Sequence, residues 1–494
     1  MLNQDRITQT TFVGRRVELQ TLDDLWTSNR AELVILYGRR RVGKTRLLTH
    51  WLKARKPRAI FWVAEPTSNL DQLRSFSQTI YNFENPTSPA PDAFSYASWR
   101  QAFEQVARLA QEERLAVFID EFTYLLEIEP GIAGTLQNLW DHLLSQANLL
   151  LCLTGSHLGM MERHVISYQA PLYGRAGAVL QLLPLPFGAT EQFFPQYSAE
   201  DRVTLYGMLG GIPAYWERFD PNLALDENVR REFLSASRLL HDEPRLLLQD
   251  FLSDLHNYVA ILRAIAHNNR TPKQIAVFTG LDAKHVPAYT SRLVETGFVE
   301  RRVPVTAGPN TRRGRHHITD PFLRFYYRFL AQRQQQLALG VQNQALAEIQ
   351  RHLPDFIGAH TWEELCRDWL LLAGVQGRLP FLPDQVGSLW GRNLQIDVVG
   401  LNTMERTLIL GECKWTARPA PQQVLERLVE KTAQALPGGG RWRVYYLGFS
   451  RNGWSRTASA LADGLAESFE NWQVVGAELV DLDQVDQDLT SWTE

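Results

Sequence analysis

Gly38-Arg-Arg-Arg-Val-Gly43-Lys44-Thr45 has the G-x-x-x-x-G-K-T spacing of a loop built to wrap phosphate. Glycines at those positions let the backbone curl until successive N–H groups point at phosphate oxygens. The lysine then reaches the terminal phosphates, and the threonine hydroxyl holds Mg²⁺. The apolar run Leu33–Tyr37 precedes the loop, and Arg46–Leu52 reads as a helix with Leu47, Leu48 and Leu52 on one side. A loop between a buried strand and a helix N-terminus also gains the positive end of the helix dipole. The chemistry expected here is binding of a nucleoside triphosphate, ATP with Mg²⁺. Gly38, Arg41, Gly43, Lys44, Thr45 and Arg46 are its candidate contacts.

A second constellation completes that chemistry. Leu115–Asp120 reads as a buried strand that ends in two carboxylates, Asp120 and Glu121. A parallel strand delivers its last residues to the carboxyl edge of the sheet, where phosphates lie. Asp120 there holds Mg²⁺ through water, and Glu121 orients or polarises the attacking water. The strand-like run Leu149–Ser156 brings Thr154 and Ser156 to the same edge, either to sense the terminal phosphate or as plain turn chemistry. Arg175, in the short loop before the strand-like Ala178–Leu183, is the candidate to neutralise transition-state charge, in cis or from a neighbouring copy; a surface role competes. Ala59–Val63 supplies another strand, and Leu70–Gln111 is helical around the proline-rich loop Asn85–Pro91.

A third constellation lies near the C-terminus. Leu394–Val399 and Thr407–Trp415 read as strands carrying Asp397, Glu412 and Lys414. Side chains alternate along a strand, so Glu412 and Lys414 share a face while Cys413 turns into the core. Asp397 on the adjacent strand brings its carboxylate beside Glu412. Such a pair makes a Mg²⁺ site, with the lysine charging an attacking water or a scissile phosphate. This Asp…Glu-x-Lys pattern resembles the PD-(D/E)xK nuclease superfamily. The resemblance makes Glu363, on the helix Thr361–Leu370, the carboxylate that completes the site. Gln395 stands where related enzymes often carry an acid, and a degenerate, purely structural domain is the competing reading.

Between these lie the elements of a winged helix-turn-helix. Asp254–His267 has apolar residues at helical spacing, Thr271-Pro272 starts a second helix, and Asp282 caps a third that Gly297 ends. Phe298–Val305 and Arg315–Thr319 form a hairpin around a Gly/Pro/Asn turn. Its Arg301, Arg302, Arg312, Arg313, Arg315, His316 and His317 face only Glu300, a local phosphate-contacting surface. The third helix offers only Lys284, His285 and Arg292, so base readout is weak, and contact with DNA and contact with protein remain equal readings. The aromatic run Thr319–Leu330 is expected to pack, and Gln332–Arg351 to run as a helical connector ending before Pro354.

The chain has 494 residues, more than one ordinary core accommodates. Its 51 basic and 54 acidic side chains give a formal charge of −3, so any nucleic-acid surface must be local. Cys152, Cys366 and Cys413 form no C-x-x-C pair, as fits a reducing cytoplasm without a disulfide framework or a zinc site. The polar N-terminal decapeptide lacks a signal-peptide core, and no apolar run is long enough to span a bilayer.

Phe12-x-Gly14-Arg15, the phosphate loop, the Asp-Glu strand, Thr154-Gly-Ser156 and Leu172-Tyr-Gly-Arg175 together resemble the archaeal-type ATPase family, a STAND branch related to AAA+ ATPases. The resemblance runs to Gly210-Gly-Ile-Pro213-Ala-Tyr-Trp216, which belongs to a small helical lid in that family. It implies that Arg15 runs beside the nucleotide and that the chain is a nucleotide-driven switch. It also implies a nuclease-like C-terminal domain. The expected fold is α/β: a P-loop ATPase domain (1–190), helical lid (191–253), winged helix (254–320), helical connector (321–351) and restriction-endonuclease-like domain (352–494). The expected function is an ATP-hydrolysing switch coupled to a Mg²⁺-dependent nuclease-like domain, in defence or DNA processing, with DNA favoured over RNA. An ATP-dependent regulator with an inert scaffold domain is the alternative, and a remodelling ring a third. A homo-oligomer or a partner protein fits each of them.

Overall fold

Five apolar runs of the N-terminal half become strands of one sheet in the computed structural model: β1 (Glu32–Tyr37), β2 (Ala59–Val63), β3 (Leu115–Asp120), β4 (Leu149–Gly155) and β5 (Ala178–Gln181). The structure describes residues 12–492 except 236–237, 250, 253–254, 309 and 439. The N-terminal decapeptide, Asp254 and Pro309 of the hairpin turn lie outside the described residues. The strand order is β2-β3-β4-β1-β5, and every pairing is parallel. β1, β3 and β4 are buried along their whole length, as strands covered on both faces must be. Their carboxyl ends share one edge, with Tyr37 in register with Gly155.

Helix Lys44–Arg55 follows β1 and buries Leu47, Leu48 and Trp51. Leu52, expected on the buried side, is only half-buried, because the face set by Leu47 and Leu48 continues one turn on at Trp51. Helices Asn69–Glu84 and Trp99–Glu112 start at serine caps, Ser68 and Ser98, whose hydroxyls accept from the backbone three residues on. Residues 12–184 with 212–214 form one compact unit, and residues 185–211 with 215–492 the other.

In the second unit, helices Leu255–Ala266, Pro272–Thr279 and Val286–Glu295 precede the antiparallel hairpin β6 (Val299–Arg302) and β7 (Arg315–Ile318). Thr271 and Gln274 form a capping box, and Gly280 closes that helix at φ 74°, a left-handed position that suits glycine. Asp282 does not cap the third helix. Its carboxylate accepts from the Lys284 N–H in a turn, and the helix starts later, with Pro287 in its first turn. Phe322, Phe325 and Phe329 are buried, and Phe325 packs 5.0 Å from Phe233, so the aromatic run is core.

Pro354 lies inside helix Gln342–Ile357 and does not follow its end. The proline removes one i→i−4 donor in the last turn, and the chain passes directly into the wider turn Gly358–Trp362. Helix Glu363–Val375 then packs Leu365, Cys366 and Trp369 inward. The C-terminal sheet comprises β8 (Gln385–Trp390), β9 (Gln395–Asn402), β10 (Thr407–Lys414), β11 (Trp442–Ser450) and β12 (Trp472–Asp481), in the order β12-β11-β10-β9-β8. β10, β11 and β12 run parallel, whereas β8, β9 and β10 pair antiparallel.

Candidate functional sites

At the carboxyl edge of the first sheet, the loop after β1 folds back on itself. Gly43 at φ 103° and Arg41 at φ 68° give the tight backbone curl. A Cβ on Gly38 would meet the Leu182 carbonyl oxygen at 2.4 Å, so only glycine lets the loop pass β5 this closely. The ammonium of Lys44 is buried and donates to the carbonyls of Gly38 (3.1 Å) and Arg39 (3.4 Å) and to the Ser156 hydroxyl (2.8 Å). Burial lowers its pKa, while Glu121 and then Asp120 work against that shift.

Two short chains of hydrogen bonds organise the rest. The Thr45 hydroxyl donates to Asp120 Oδ2 at 2.5 Å, and the Thr154 hydroxyl donates to Asp120 Oδ1. The Ser156 hydroxyl and N–H both donate to Glu121, at 2.5 and 3.2 Å. Glu121 stands at φ 54°, a left-handed position uncommon for a residue with a Cβ. Its own N–H donates to Thr154 Oγ1 at 3.2 Å and to Asp120 Oδ1 at 3.1 Å, which holds that conformation. Lys44, Thr45, Asp120, Glu121, Thr154 and Ser156 are therefore one connected cluster. The Thr45 hydroxyl and the Asp120 carboxylate stand next to each other, an oxygen donor set that suits Mg²⁺.

Arg15 docks against the same loop. Its guanidinium donates to the carbonyls of Val42 (3.3 Å) and Leu183 (2.7 Å), and burial lowers its pKa. Arg175 sits elsewhere: it makes a two-pronged ion pair with Asp141, both bonds 2.7 Å, and donates to the carbonyls of Pro171 and Tyr173. None of these partners belongs to the phosphate-loop cluster. Asp141 carries no signal in the sequence for this role; it lies in the last turn of helix Ile132–His142.

In the C-terminal sheet, Glu412 and Lys414 lie on one face of β10 and Cys413 is buried between them. The register Gly411↔Val398 places Asp397 opposite Glu412 one step further. Asp397 is buried and accepts from the Cys413 N–H (3.2 Å) and the Gln395 amide (3.3 Å). Burial and then Glu412 raise its pKa. Lys414 donates to Glu412 Oε1 at 2.6 Å; burial works against its charge, but Glu412 and Asp397 leave it above its ordinary range. Glu363 is pushed up to about 8, by burial and then by the Asp397 charge, with Arg367 opposing.

Two residues absent from the sequence reading join this site. Lys431 donates to Glu412 Oε2 (3.2 Å) and to the Gln395 carbonyl (2.8 Å). Arg367 donates to the Asp397 carbonyl (3.1 Å) and the Ser388 hydroxyl (3.0 Å), and lies 3.6 Å from Glu363. The i,i+4 spacing of Glu363 and Arg367 was a readable signal; Lys431, at a helix junction, had none. Among the described residues, no three His, Cys, Asp or Glu side chains group as metal ligands. The Asp397–Glu412 pair fits a divalent cation in donor type, and Glu363 does not complete a third corner.

The hairpin is less basic at its surface than its composition implies. Arg302 pairs with Glu300 (2.5 Å) and Glu364 (2.8 Å), and His316 is buried with its N–H on the Arg270 carbonyl at 2.8 Å. Alternation places Arg302 with Arg315 and His317 on one face of the hairpin and His316 with the buried Val299 and Ile318 on the other, and Arg312 and Arg313 are exposed at the tip.

Residues 12–219 match the family of ATPase domains found predominantly in Archaea, and residues 326–430 match DUF234, archaeal and bacterial proteins of unknown function. Over 404 residues the chain is 29% identical to the uncharacterized protein MJECL04 of Methanocaldococcus jannaschii, covering 82% of this chain and 87% of that one. The uncharacterized ATP-binding protein MJ0423 of the same organism is 53% identical over 45 residues, 9% of this chain and 76% of the relative. Among solved structures, the Aeropyrum pernix ORC2 protein aligns with a TM-score of 0.40 and 14% identity, over 69% of this chain and 98% of that chain. Among the described residues, no helix is long and apolar enough to cross a membrane.

Proposed function

We propose that this chain, which carries an archaeal-type ATPase domain and a DUF234 segment, is an ATP-hydrolysing switch that governs a Mg²⁺-dependent nucleic-acid-cleaving site in its C-terminal sheet. The observation that carries the first half is the connected cluster of Lys44, Thr45, Asp120, Glu121, Thr154 and Ser156 at one sheet edge. The backbone N–H groups from Gly38 to Thr45 bind the phosphates of ATP, and Lys44 exchanges its hydroxyl and carbonyl partners for phosphate oxygens. Mg²⁺, when bound, neutralises phosphate charge beside Thr45 and Asp120. Glu121 accepts hydrogen bonds from Ser156 and thereby points a carboxylate oxygen at the attacking water. Arg15 braces the loop from behind, and Arg175 enters the reaction only by leaving Asp141.

The second half rests on Asp397, Glu412 and Lys414 sharing one place on β9 and β10. Asp397 and Glu412 would hold a divalent cation, which would polarise the phosphate; Lys414, kept as an ammonium, stabilises negative charge that develops on the phosphate, and Glu363 is a proton store beside it. A second reading, a regulator whose C-terminal domain is inert scaffold, is supported by one feature. Both Glu412 oxygens are already held by lysines, Lys414 and Lys431.

The test is cleavage of plasmid and single-stranded DNA and RNA with Mg²⁺ or Mn²⁺, with and without ATP, beside Lys44→Ala and Lys414→Ala. Cleavage lost in Lys414→Ala and altered in Lys44→Ala is the expected result. ATP turnover with no cleavage under any condition leaves the regulator.

A further inference from the structure

The helix–hairpin segment and the C-terminal sheet of the second unit enclose a cavity of about 430 Å³. Arg270, Arg315 and His317 line it from the hairpin side, and Glu363, Arg367 and Asp397 from the sheet side. The size falls in the range of about 300–1,000 Å³ for small-ligand sites, room for one nucleotide and not for a duplex.

Its cations are unevenly matched. Arg302 and Arg324 share Glu364, and Arg367 faces Glu363. The Arg270 guanidinium donates to the Asn268 side-chain carbonyl (2.9 Å), and Arg315 lies over the Trp390 ring at 4.9 Å. Among the described residues, neither pairs with a carboxylate within ion-pair distance. Burial, opposed by Glu363 and reinforced by Arg315, Arg324 and Arg302, brings Arg270 down to about 10, and burial with the same arginine cluster keeps His317 neutral. Guanidinium groups that lack a carboxylate partner are relieved by an incoming phosphate anion, whose geometry they match in particular. Glu363, which keeps its proton up to about pH 8, and the buried Asp397 line the opposite wall, so the arginine end is the one that draws a phosphate.

We propose that this cavity seats a single unpaired nucleotide of a nucleic-acid strand, its phosphate held by Arg270 and Arg315, so that the helix–hairpin segment is the substrate wall of the C-terminal site. The proposal rests on the nucleic-acid reading of that site. It replaces the exposed hairpin tip, Arg312 and Arg313, with the inner face of the hairpin as the contact surface.

The experiment is fluorescence anisotropy of a fluorescein-labelled oligothymidylate with the full chain in EDTA, where cleavage cannot contribute. Arg270→Gln and Arg315→Gln are each expected to weaken binding about tenfold and to lower the salt slope by about one. Arg312→Gln, at the tip, stays within about twofold, and Arg270→Lys, which keeps the charge but not the planar fork, falls between wild type and Arg270→Gln, which separates lost charge from lost folding. The wild-type chain binds the single strand more tightly than the same sequence as duplex. The proposal is overturned if the cavity variants bind like wild type, if the tip variant loses as much as they do, if duplex is preferred, or if adenosine monophosphate displaces the strand as readily as unlabelled strand does. Adding Mg²⁺ separates the two readings. Arginine-dependent binding without cleavage keeps the cavity and removes the nuclease, whereas cleavage untouched by Arg270→Gln and Arg315→Gln removes the cavity and keeps the nuclease.

Discussion

Glu121→Gln separates the chemistry of the phosphate-loop cluster from its architecture. The carboxylate accepts two hydrogen bonds from Ser156, at its hydroxyl (2.5 Å) and its N–H (3.2 Å). A carboxamide has one acceptor oxygen. With its oxygen on the Ser156 N–H, its NH₂ group faces the Ser156 hydroxyl, which must reverse and accept through its second lone pair while the first still accepts from Lys44 at 2.8 Å, so a charge-assisted bond gives way to a neutral one. The expected stability loss stays below the worth of one charge-assisted bond, about 1.5–3 kcal/mol. Glu121 is also the larger of the two carboxylate influences that sustain the charge of buried Lys44, so the lysine pKa falls further in the variant. Lys44 retains its carbonyl partners, and ATP affinity is expected to stay within about tenfold. Turnover is expected to fall by about 100- to 10,000-fold, the usual worth of a positioned general base. Phosphate release at saturating ATP measures the second quantity and equilibrium binding of a fluorescent ATP analogue the first. Turnover within tenfold of wild type would refute the base assignment. Loss of ATP binding alongside turnover would instead make Glu121 a positioning residue for Lys44.

Gly38→Ala drives a methyl group against the Leu182 carbonyl oxygen, 2.4 Å from the ideal Cβ, so the loop must shift and ATP binding should weaken by tenfold or more in the same binding assay. Asp486→Ala strands the buried guanidinium of Arg202, which pairs with both Asp486 oxygens, and should cost about 3–5 kcal/mol in urea unfolding of the second unit. Glu363 keeps its proton up to about pH 8, so between the ordinary carboxyl range and pH 8 the folded chain binds more protons than the unfolded chain. Stability therefore falls as pH rises through that window; Glu363→Gln should flatten the slope of the urea midpoint, and an unchanged slope would place the titration elsewhere.

How much of this was legible follows from how far apart the cooperating residues lie. The phosphate loop was readable because its chemistry is local: glycines, lysine and threonine act within eight positions, and the flanking strand and helix are periodic. The place of Glu121 at the end of a strand beside the phosphate loop was readable, but its left-handed backbone and its grip on Ser156 depend on β3 and β4 being neighbours, which no local pattern encodes. At the C-terminal site, alternation along β10 correctly paired Glu412 with Lys414 and buried Cys413. What alternation could not give was the second lysine. Lys431 reaches Glu412 from a junction between two short helices, where no period applies. The hairpin shows the same limit from the other side. Seven basic residues across the hairpin read as one surface because charge was counted without direction, whereas pleating sends Arg302, Arg315 and His317 to one face and Arg301 and His316 to the other, with Arg312 and Arg313 in the turn. Charge that sequence assigns to an outer surface is thus displaced toward Glu363, Glu364 and Asp397. A basic hairpin next to a buried acidic helix is better read as one wall of an enclosed site than as an open groove for a duplex.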